Sequence, residues 1–349
     1  MIENKSQNYP LKIYKAFNHN EQSMDALQFA AQVLKDLYRN FEPSLFKGQF
    51  FVCKHFDDAF IFEEATGFPM YDKNVLLKKT DGVIVIQAFE DGRLILWEGI
   101  DTSPLFENGN VLTYLFENNK EYFIANKEKI DITFYPYGSR FATQYFDLVK
   151  ALDDYRVQKV FHSSCPIFSS SWFDENRIFF KGGGKDIPEM YLQQSLYNYL
   201  NTNLNLRGTT LVIREFNVIG NHPKPVDIMI NWGEANRVAL IEVKWLGKSI
   251  GKTGKPSRHD NARANKGMTQ LKGYFDTAQT NLPLTIIKSY LVVIDARRNQ
   301  TKAGTVSISV KDGMHYQNIE LTIDTDKEFY NSVAGFEKPI RMFAAPICY

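Results

Sequence analysis

Two apolar segments joined by a four-residue loop constrain the fold of this chain more than any other feature. Residues 225–232 and residues 237–245 each alternate side chains between two faces, as β-strands do. The loop between them has the sequence Gly-Glu-Ala-Asn, and its length predicts an antiparallel hairpin. Both strands are apolar enough for us to expect them in the centre of a sheet.

The predicted hairpin places two acids face to face. If Trp232 pairs with Arg237, Asp227 lies directly opposite Glu242, with Cβ atoms roughly 4.5–5.5 Å apart. Lys244 shares the face of Glu242 and balances one negative charge, whereas a divalent cation would balance both. The alternative is a surface hairpin with all three groups in solvent. A one-residue slip would put the two acids on opposite faces.

A third carboxylate precedes the hairpin. Glu189 lies near the start of a helix predicted over residues 187–201 and shares its apolar face with Leu192, Leu196 and Tyr199. On that face it would point toward the sheet and could reach the two other acids. Alternatively, Asp186 and Glu189 have the spacing of a capping box, and Glu189 only caps the helix.

Basic residues are concentrated immediately after the hairpin. The segment from Lys244 to Lys272 contains eight Lys or Arg residues and one Asp, a net charge of +7. The whole chain has a net charge of +1, so the remainder carries −6. The segment is either a solvated, flexible loop or a strip that binds phosphates. Its position beside the acids favours the phosphate strip.

The predicted elements divide the chain of 349 residues into two domains and an extension. An α+β domain of unknown role is expected over residues 1–170, with a helix at 21–41 and strands at 48–56, 59–64, 81–89, 93–101 and 131–136. An α/β domain is expected over residues 176–325, with further strands at 209–216 and 288–295, a helix at 266–279 and edge strands at 303–310 and 317–323. Residues 326–349 form the C-terminal extension.

Composition indicates where such a chain would reside. No apolar run is long enough for a membrane span, and the first residues lack the layout of a signal peptide. The three cysteines are far apart, which argues against a disulfide framework and against a zinc–cysteine site. We therefore expect a cytoplasmic protein without a membrane partner. The oligomeric state is left open.

Glu189, the Pro-Val-Asp sequence ending at Asp227, and the Glu-Val-Lys sequence from Glu242 to Lys244 resemble the PD-(D/E)XK nuclease superfamily. Gln270 and Tyr274 in the following helix are similar to the Q-x-x-x-Y element of its exonuclease branch. The resemblance covers residues 176–300. It implies a restriction-endonuclease-like mixed sheet flanked by helices. One departure is Val226, which separates the proline from Asp227.

The resemblance also implies roles for these residues. Asp227 and Glu242 would hold Mg²⁺, for which Mn²⁺ could substitute, with the Val243 carbonyl as a further ligand. Glu189 would complete the metal shell directly or through water. Lys244 would orient the attacking water or help to deprotonate it, and would stabilise the phosphate at the transition state.

The substrate would be nucleic acid, with DNA favoured over RNA. The expected contacts to its backbone are Lys248, Lys252, Lys255, Arg258, Arg263, Lys266, Gln270 and Tyr274. For the last two, ordinary positions on the helix surface and in the core are the alternative.

We therefore expect a metal-dependent nuclease, and the uncharacterised N-terminal domain suggests a restriction or antiphage-defence effector. Its N-terminal domain would serve recognition or regulation and could bind a protein partner. The alternatives are a non-catalytic nucleic-acid-binding module and an assembly subunit, each built on a nuclease-like fold.

Overall fold

The computed structural model describes residues 8–133, 139–183, 188–205, 210–217, 225–251 and 253–349. The chain forms two compact units, Met1–Phe146 and Asp147–Tyr349. Within the described residues, each unit contains a seven-stranded mixed sheet with helices, so the chain has an α/β architecture. The sequence analysis ends the first domain at residue 170, whereas the structure divides the chain after Phe146. None of the helices in the described ranges is long and apolar enough to cross a membrane.

The first unit has helices α1 to α3 and strands β1 to β7. The helices are α1 Tyr9–Ala16, α2 Glu21–Leu37 and α3 Ser103–Glu107. The strands are β1 Lys47–His55, β2 Phe68–Pro69, β3 Asp81–Ala88, β4 Leu94–Glu98, β5 Val111–Glu117, β6 Lys120–Ala125 and β7 Glu128–Asp131. The sheet order is β2-β4-β3-β1-β5-β6-β7. Strands β3 and β4 pair antiparallel, and they lie within the strands predicted at 81–89 and 93–101.

The predicted strand at 59–64 is wrong. The buried side chain of Gln87 holds this segment, because it donates to the Ala59 carbonyl at 2.6 Å and accepts from the Ile61 N–H at 3.1 Å. Backbone groups bound to a side chain in this way are not available for a strand ladder. The predicted strand at 131–136 lies partly outside the described residues, and β7 ends at Asp131.

The second unit has helices α4 to α8 and strands β8 to β14. The helices are α4 Gln144–Tyr155, which begins just before the division, α5 Pro166–Ser169, α6 Glu189–Asn205, α7 Asn261–Asn281 and α8 Val310–Gly313. The strands are β8 Phe180–Lys181, β9 Leu211–Phe216, β10 Val226–Trp232, β11 Arg237–Ile250, β12 Pro256–His259, β13 Ile286–Ala296 and β14 Ile340–Phe343.

The sheet of the second unit is built around β11. Its main order is β14-β13-β11-β10-β9, and β12 and β8 pair with the far end of β11. Strand β13 runs parallel to β11, whereas β10 runs antiparallel to it. Every residue of β13 is buried, as expected for a strand covered on both faces.

The predicted hairpin register is confirmed. Trp232 pairs with Arg237, and the ladder continues to Ile228 opposite Ile241. Strand β11 is longer than expected, however. It continues into the basic segment as far as Ile250, and β12 pairs with this part of it.

The edge strands predicted at 303–310 and 317–323 are wrong. Residues 303–309 and 317–323 are described and contain no strand, and the side chain of Val306 remains 74% exposed. The strand beside β13 is β14, from the segment predicted as a C-terminal extension. Met342 and Phe343 of β14 are buried, so this strand contributes the apolar surface that Val306 does not.

Candidate active site

Asp227 and Glu242 form a buried carboxyl pair on neighbouring strands. The paired residues of the hairpin end at Ile228 and Ile241, and Asp227 and Glu242 are the next residue on each strand, so the same register sets them opposite each other; they are 9% and 1% exposed. The Val243 N–H donates to Asp227 Oδ2 at 2.7 Å. Glu242 Oε2 is buried and accepts no bond from an N–H or hydroxyl donor among the described residues. The two carboxyl groups are close enough to influence each other's pKa.

Lys244 joins this pair to the third acid. Its Nζ lies 2.6 Å from Glu242 Oε1 and 2.8 Å from Glu189 Oε1. Helix α7 packs against the aliphatic part of Lys244 at Gly267, where an added Cβ would lie 2.8 Å from Lys244 Cγ. The absence of a side chain at position 267 therefore leaves room for the lysine beneath the helix.

Glu189 points toward the sheet from the first residue of α6. One carboxyl oxygen accepts from Lys244, and the other forms an ion pair with Arg263 in the first turn of α7. The Glu189 side chain is 14% exposed. Asp186, its suggested capping partner, lies outside the described residues.

The protonation behaviour of the three acids differs. Burial raises the pKa of Asp227 well above its usual value, and the nearby charge of Glu242 raises it further. Burial also raises the pKa of Glu242, against the opposing charge of Lys244. For Glu189, burial is outweighed by the charges of Lys244 and Arg263, so its pKa is lowered.

Lys244 remains an ammonium ion at neutral pH. Burial by itself would lower its pKa, but the charges of Glu242, Glu189 and Asp227 raise it above the usual value. The three carboxylates exceed the two cations, Lys244 and Arg263, by one negative charge. The Asp227–Glu242 pair therefore favours either a proton or a metal ion.

The basic residues beside the site differ in the exposure of their side chains and in whether these are already hydrogen-bonded. Lys255, Arg258 and Lys266 are exposed. Lys248 is half-buried, and its Nζ donates to the Thr301 carbonyl. Burial lowers the pKa of Lys248, and Arg258, opposite it in the β11–β12 ladder, lowers it further. Lys252, another expected backbone contact, lies outside the described residues.

The two residues of the Q-x-x-x-Y pattern occupy different positions on α7. Gln270 is half-buried. Tyr274 is 1% exposed, and its hydroxyl donates to the Pro225 carbonyl at 3.0 Å. The structure thus places Tyr274 beneath the strand that carries Asp227, and not on the surface where we expected a contact with nucleic acid.

Sequence reasoning missed two features of the site. The ion pair between Arg263 and Glu189 was not foreseen, because α7 was expected to begin at residue 266. The Asp260 side chain accepts from the Ala262 N–H at 3.2 Å and caps the helix, so an Asp before a helical segment was the available signal. The space that Gly267 leaves for Lys244 has no local sequence signal.

No group of three or more His, Cys, Asp or Glu side chains in the described ranges is arranged to hold a metal ion. Lys244 Nζ lies between Glu189 and Glu242, which leaves Asp227 and Glu242 as a pair.

Comparisons with protein-family models, with curated proteins and with solved structures find no match to this chain.

Proposed function

We propose that residues 147–349 form a Mg²⁺-dependent nuclease of the PD-(D/E)XK type. The observation that carries the proposal is the opposed, buried pair of Asp227 and Glu242, with Lys244 on the same face. A mixed sheet flanked by helices agrees with the restriction-endonuclease-like fold that the sequence resemblance implies. The exposed cations on β12 and α7 supply a surface for phosphates.

The carboxyl pair fits a divalent cation. Glu242 Oε2 is buried without a donor, and hard carboxylate oxygens are the ligands that Mg²⁺ prefers. Asp227 and Glu242 would hold the ion, with the Val243 carbonyl as a further ligand, and Mn²⁺ would substitute. Both carboxyl oxygens of Glu189 are paired with cations, Lys244 and Arg263, so we propose that Glu189 contacts the metal through water and not directly. A bound Mg²⁺ would promote the loss of a proton from water, which makes that water a better nucleophile, and would offset negative charge on the phosphate.

Lys244 would act through its charge. Its pKa is raised by the neighbouring carboxylates when no metal is bound, so we propose that it is not the group that takes a proton from water. Its ammonium group, held between Glu242 and Glu189, would instead donate to a phosphate oxygen as negative charge develops there. This favours the stabilising role over the deprotonating role among the two that the resemblance implies.

The substrate would be DNA rather than RNA. Lys255, Arg258 and Lys266 would bind its backbone. The first unit would recognise the substrate or a protein partner, and a restriction or antiphage-defence effector in the cytoplasm is the setting that we propose.

A second candidate function is a non-catalytic nucleic-acid-binding module. The observation that favours it is that the described acids form no three-residue metal site. Such a module would keep the exposed cations and bind DNA without cleaving it. An assembly subunit with a latent nuclease would show activity only after a partner protein is added.

Incubation with linear and circular forms of single- and double-stranded DNA and RNA, with and without Mg²⁺, tests the proposal. We expect cleavage of DNA that requires Mg²⁺ or Mn²⁺. Asp227→Ala and Lys244→Ala should abolish cleavage while largely preserving binding. Binding by the wild-type protein without cleavage of any substrate would support the binding module instead.

A further inference from the structure

Arg263 lies at the junction of the basic strand β12 and the acidic centre. Its guanidinium forms an ion pair with Glu189 and lies 5.2 Å from the centroid of the Trp245 ring. Its Nη1 is also 3.5 Å from Nδ1 of His259. The side chain is 25% exposed, because these neighbours surround it.

Arg258, five residues earlier, has a different environment. Its side chain is 71% exposed, and its ion pair with Asp260 spans 4.0 Å. An exposed arginine of this kind is free to turn toward a phosphate. Arg263 would have to leave Glu189 to do the same, and a carboxylate that is 14% exposed would then lose one of its two cations.

We propose that Arg263 is a positioning residue and not a contact to the nucleic-acid backbone. By holding one oxygen of Glu189, it directs the other toward Lys244. Lys244 Nζ is thereby fixed between Glu189 and Glu242. This inference rests on the proposed nuclease function for its effect on cleavage, whereas its effect on Lys244 does not depend on that function.

The geometry of arginine suits this role. Its planar group can bind a carboxylate and lie against an aromatic ring at the same time, which an ammonium group does less well. Arg263→Lys would keep the charge and lose much of the contact with Trp245. We therefore expect this variant to retain part of the effect of Arg263 on Lys244, and if Arg263→Ala does not fold, Arg263→Lys carries the comparison.

The test compares Arg263→Ala and Arg263→Lys with Arg258→Ala in the full-length protein. A buried, ion-paired lysine ammonium exchanges its protons slowly enough for ¹⁵N NMR to detect it, and Lys244→Met assigns the signal. Arg156→Ala controls for the loss of a surface arginine, since Arg156 is 45% exposed and pairs with Asp153. DNA binding is measured by fluorescence anisotropy, and cleavage is measured at saturating DNA.

We expect Arg263→Ala to shift or remove the Lys244 signal and to lower kcat at least tenfold, with the Kd for DNA changed less than twofold. Arg263→Lys should restore part of both losses. Arg258→Ala should keep the Lys244 signal and weaken binding, and Arg156→Ala should change none of these quantities.

An unchanged Lys244 signal in Arg263→Ala would overturn the proposal. A raised Kd for DNA with an unaltered kcat in the same variant would also overturn it. If the wild-type protein cleaves no substrate but Arg263→Ala still alters the Lys244 signal, the nuclease function fails while the positioning role stands.

Discussion

Asp227 and Glu242 face each other across the β10–β11 hairpin, with Asp227 Oδ2 held by the N–H of Val243. The pair is buried, and both pKa values are raised. Two acids in this position destabilise the protein when both are ionised. We infer that the protein tolerates this destabilisation because the pair is suited to hold a cation.

The substitution Asp227→Asn tests how much the repulsion between Asp227 and Glu242 lowers the free energy of unfolding. An acid with a raised folded-state pKa binds more protons in the folded than in the unfolded state, so stability falls as pH rises through this range. Without divalent cations, Asp227→Asn should therefore be more stable than the wild type at pH 8, by about 1 kcal/mol or more. Urea unfolding at pH 5 and pH 8 measures the difference. An equal or lower stability of the variant at pH 8 would contradict the repulsion.

Glu189 should show the opposite dependence on pH. Its pKa is lowered in the folded state, so its contribution to stability is present above about pH 4.3 and is lost as the pH falls through the folded value. Glu189→Gln should cost about 2 kcal/mol at pH 7, because Lys244 and Arg263 lose a shared partner. Urea unfolding should show this difference shrinking at acidic pH. A constant difference from pH 7 to pH 3 would argue against the ion pairs.

Gly267→Ala tests the packing of α7 on Lys244. Alanine stabilises a helix interior by about 1 kcal/mol relative to glycine. Here the added Cβ would lie 2.8 Å from both Lys244 Cγ and Leu291 Cδ1. We expect Lys244 to be displaced and kcat to fall at least tenfold in a folded protein. Circular dichroism and cleavage rates measure the two effects, and wild-type cleavage would show that Lys244 does not need this space.

The exposed cations should dominate the salt dependence of DNA binding. Substituting Lys255, Arg258 or Lys266 with Ala should each reduce the slope of log K against log salt concentration by about 1. Substituting Lys248 should change the slope little, because its Nζ is already bound to the Thr301 carbonyl. Anisotropy titrations at several salt concentrations give the slopes. Equal slopes for all four variants would contradict this division between free and held cations.

The hairpin and its register could be predicted because the alternation and the four-residue loop act locally. A slip of one residue would have moved the apolar side chains of β10 out of the core, so few registers were possible. The direction of Glu189 followed from helical periodicity in the same way. These local patterns were enough to bring Asp227, Glu242 and Lys244 together.

Other parts of the fold depend on contacts between distant segments. Strand β12 is short and polar and exists because β11 extends far enough to pair with it. Strand β14 pairs with β13 from near the end of the chain, and no local signal distinguishes it from residues 303–310, which alternate but remain outside the sheet. The Arg263–Glu189 ion pair required the start of α7 to be placed correctly.

Binding of Mn²⁺ to the apo protein tests the central claim most directly. Titration calorimetry of the wild-type protein, Asp227→Asn and Glu242→Gln at neutral pH measures whether the carboxyl pair holds a divalent cation. We predict saturable binding of Mn²⁺ to the wild-type protein, competed by Mg²⁺ and lost in both variants. Absence of saturable binding, or binding of equal strength in Asp227→Asn, would contradict a metal-dependent active site at Asp227 and Glu242.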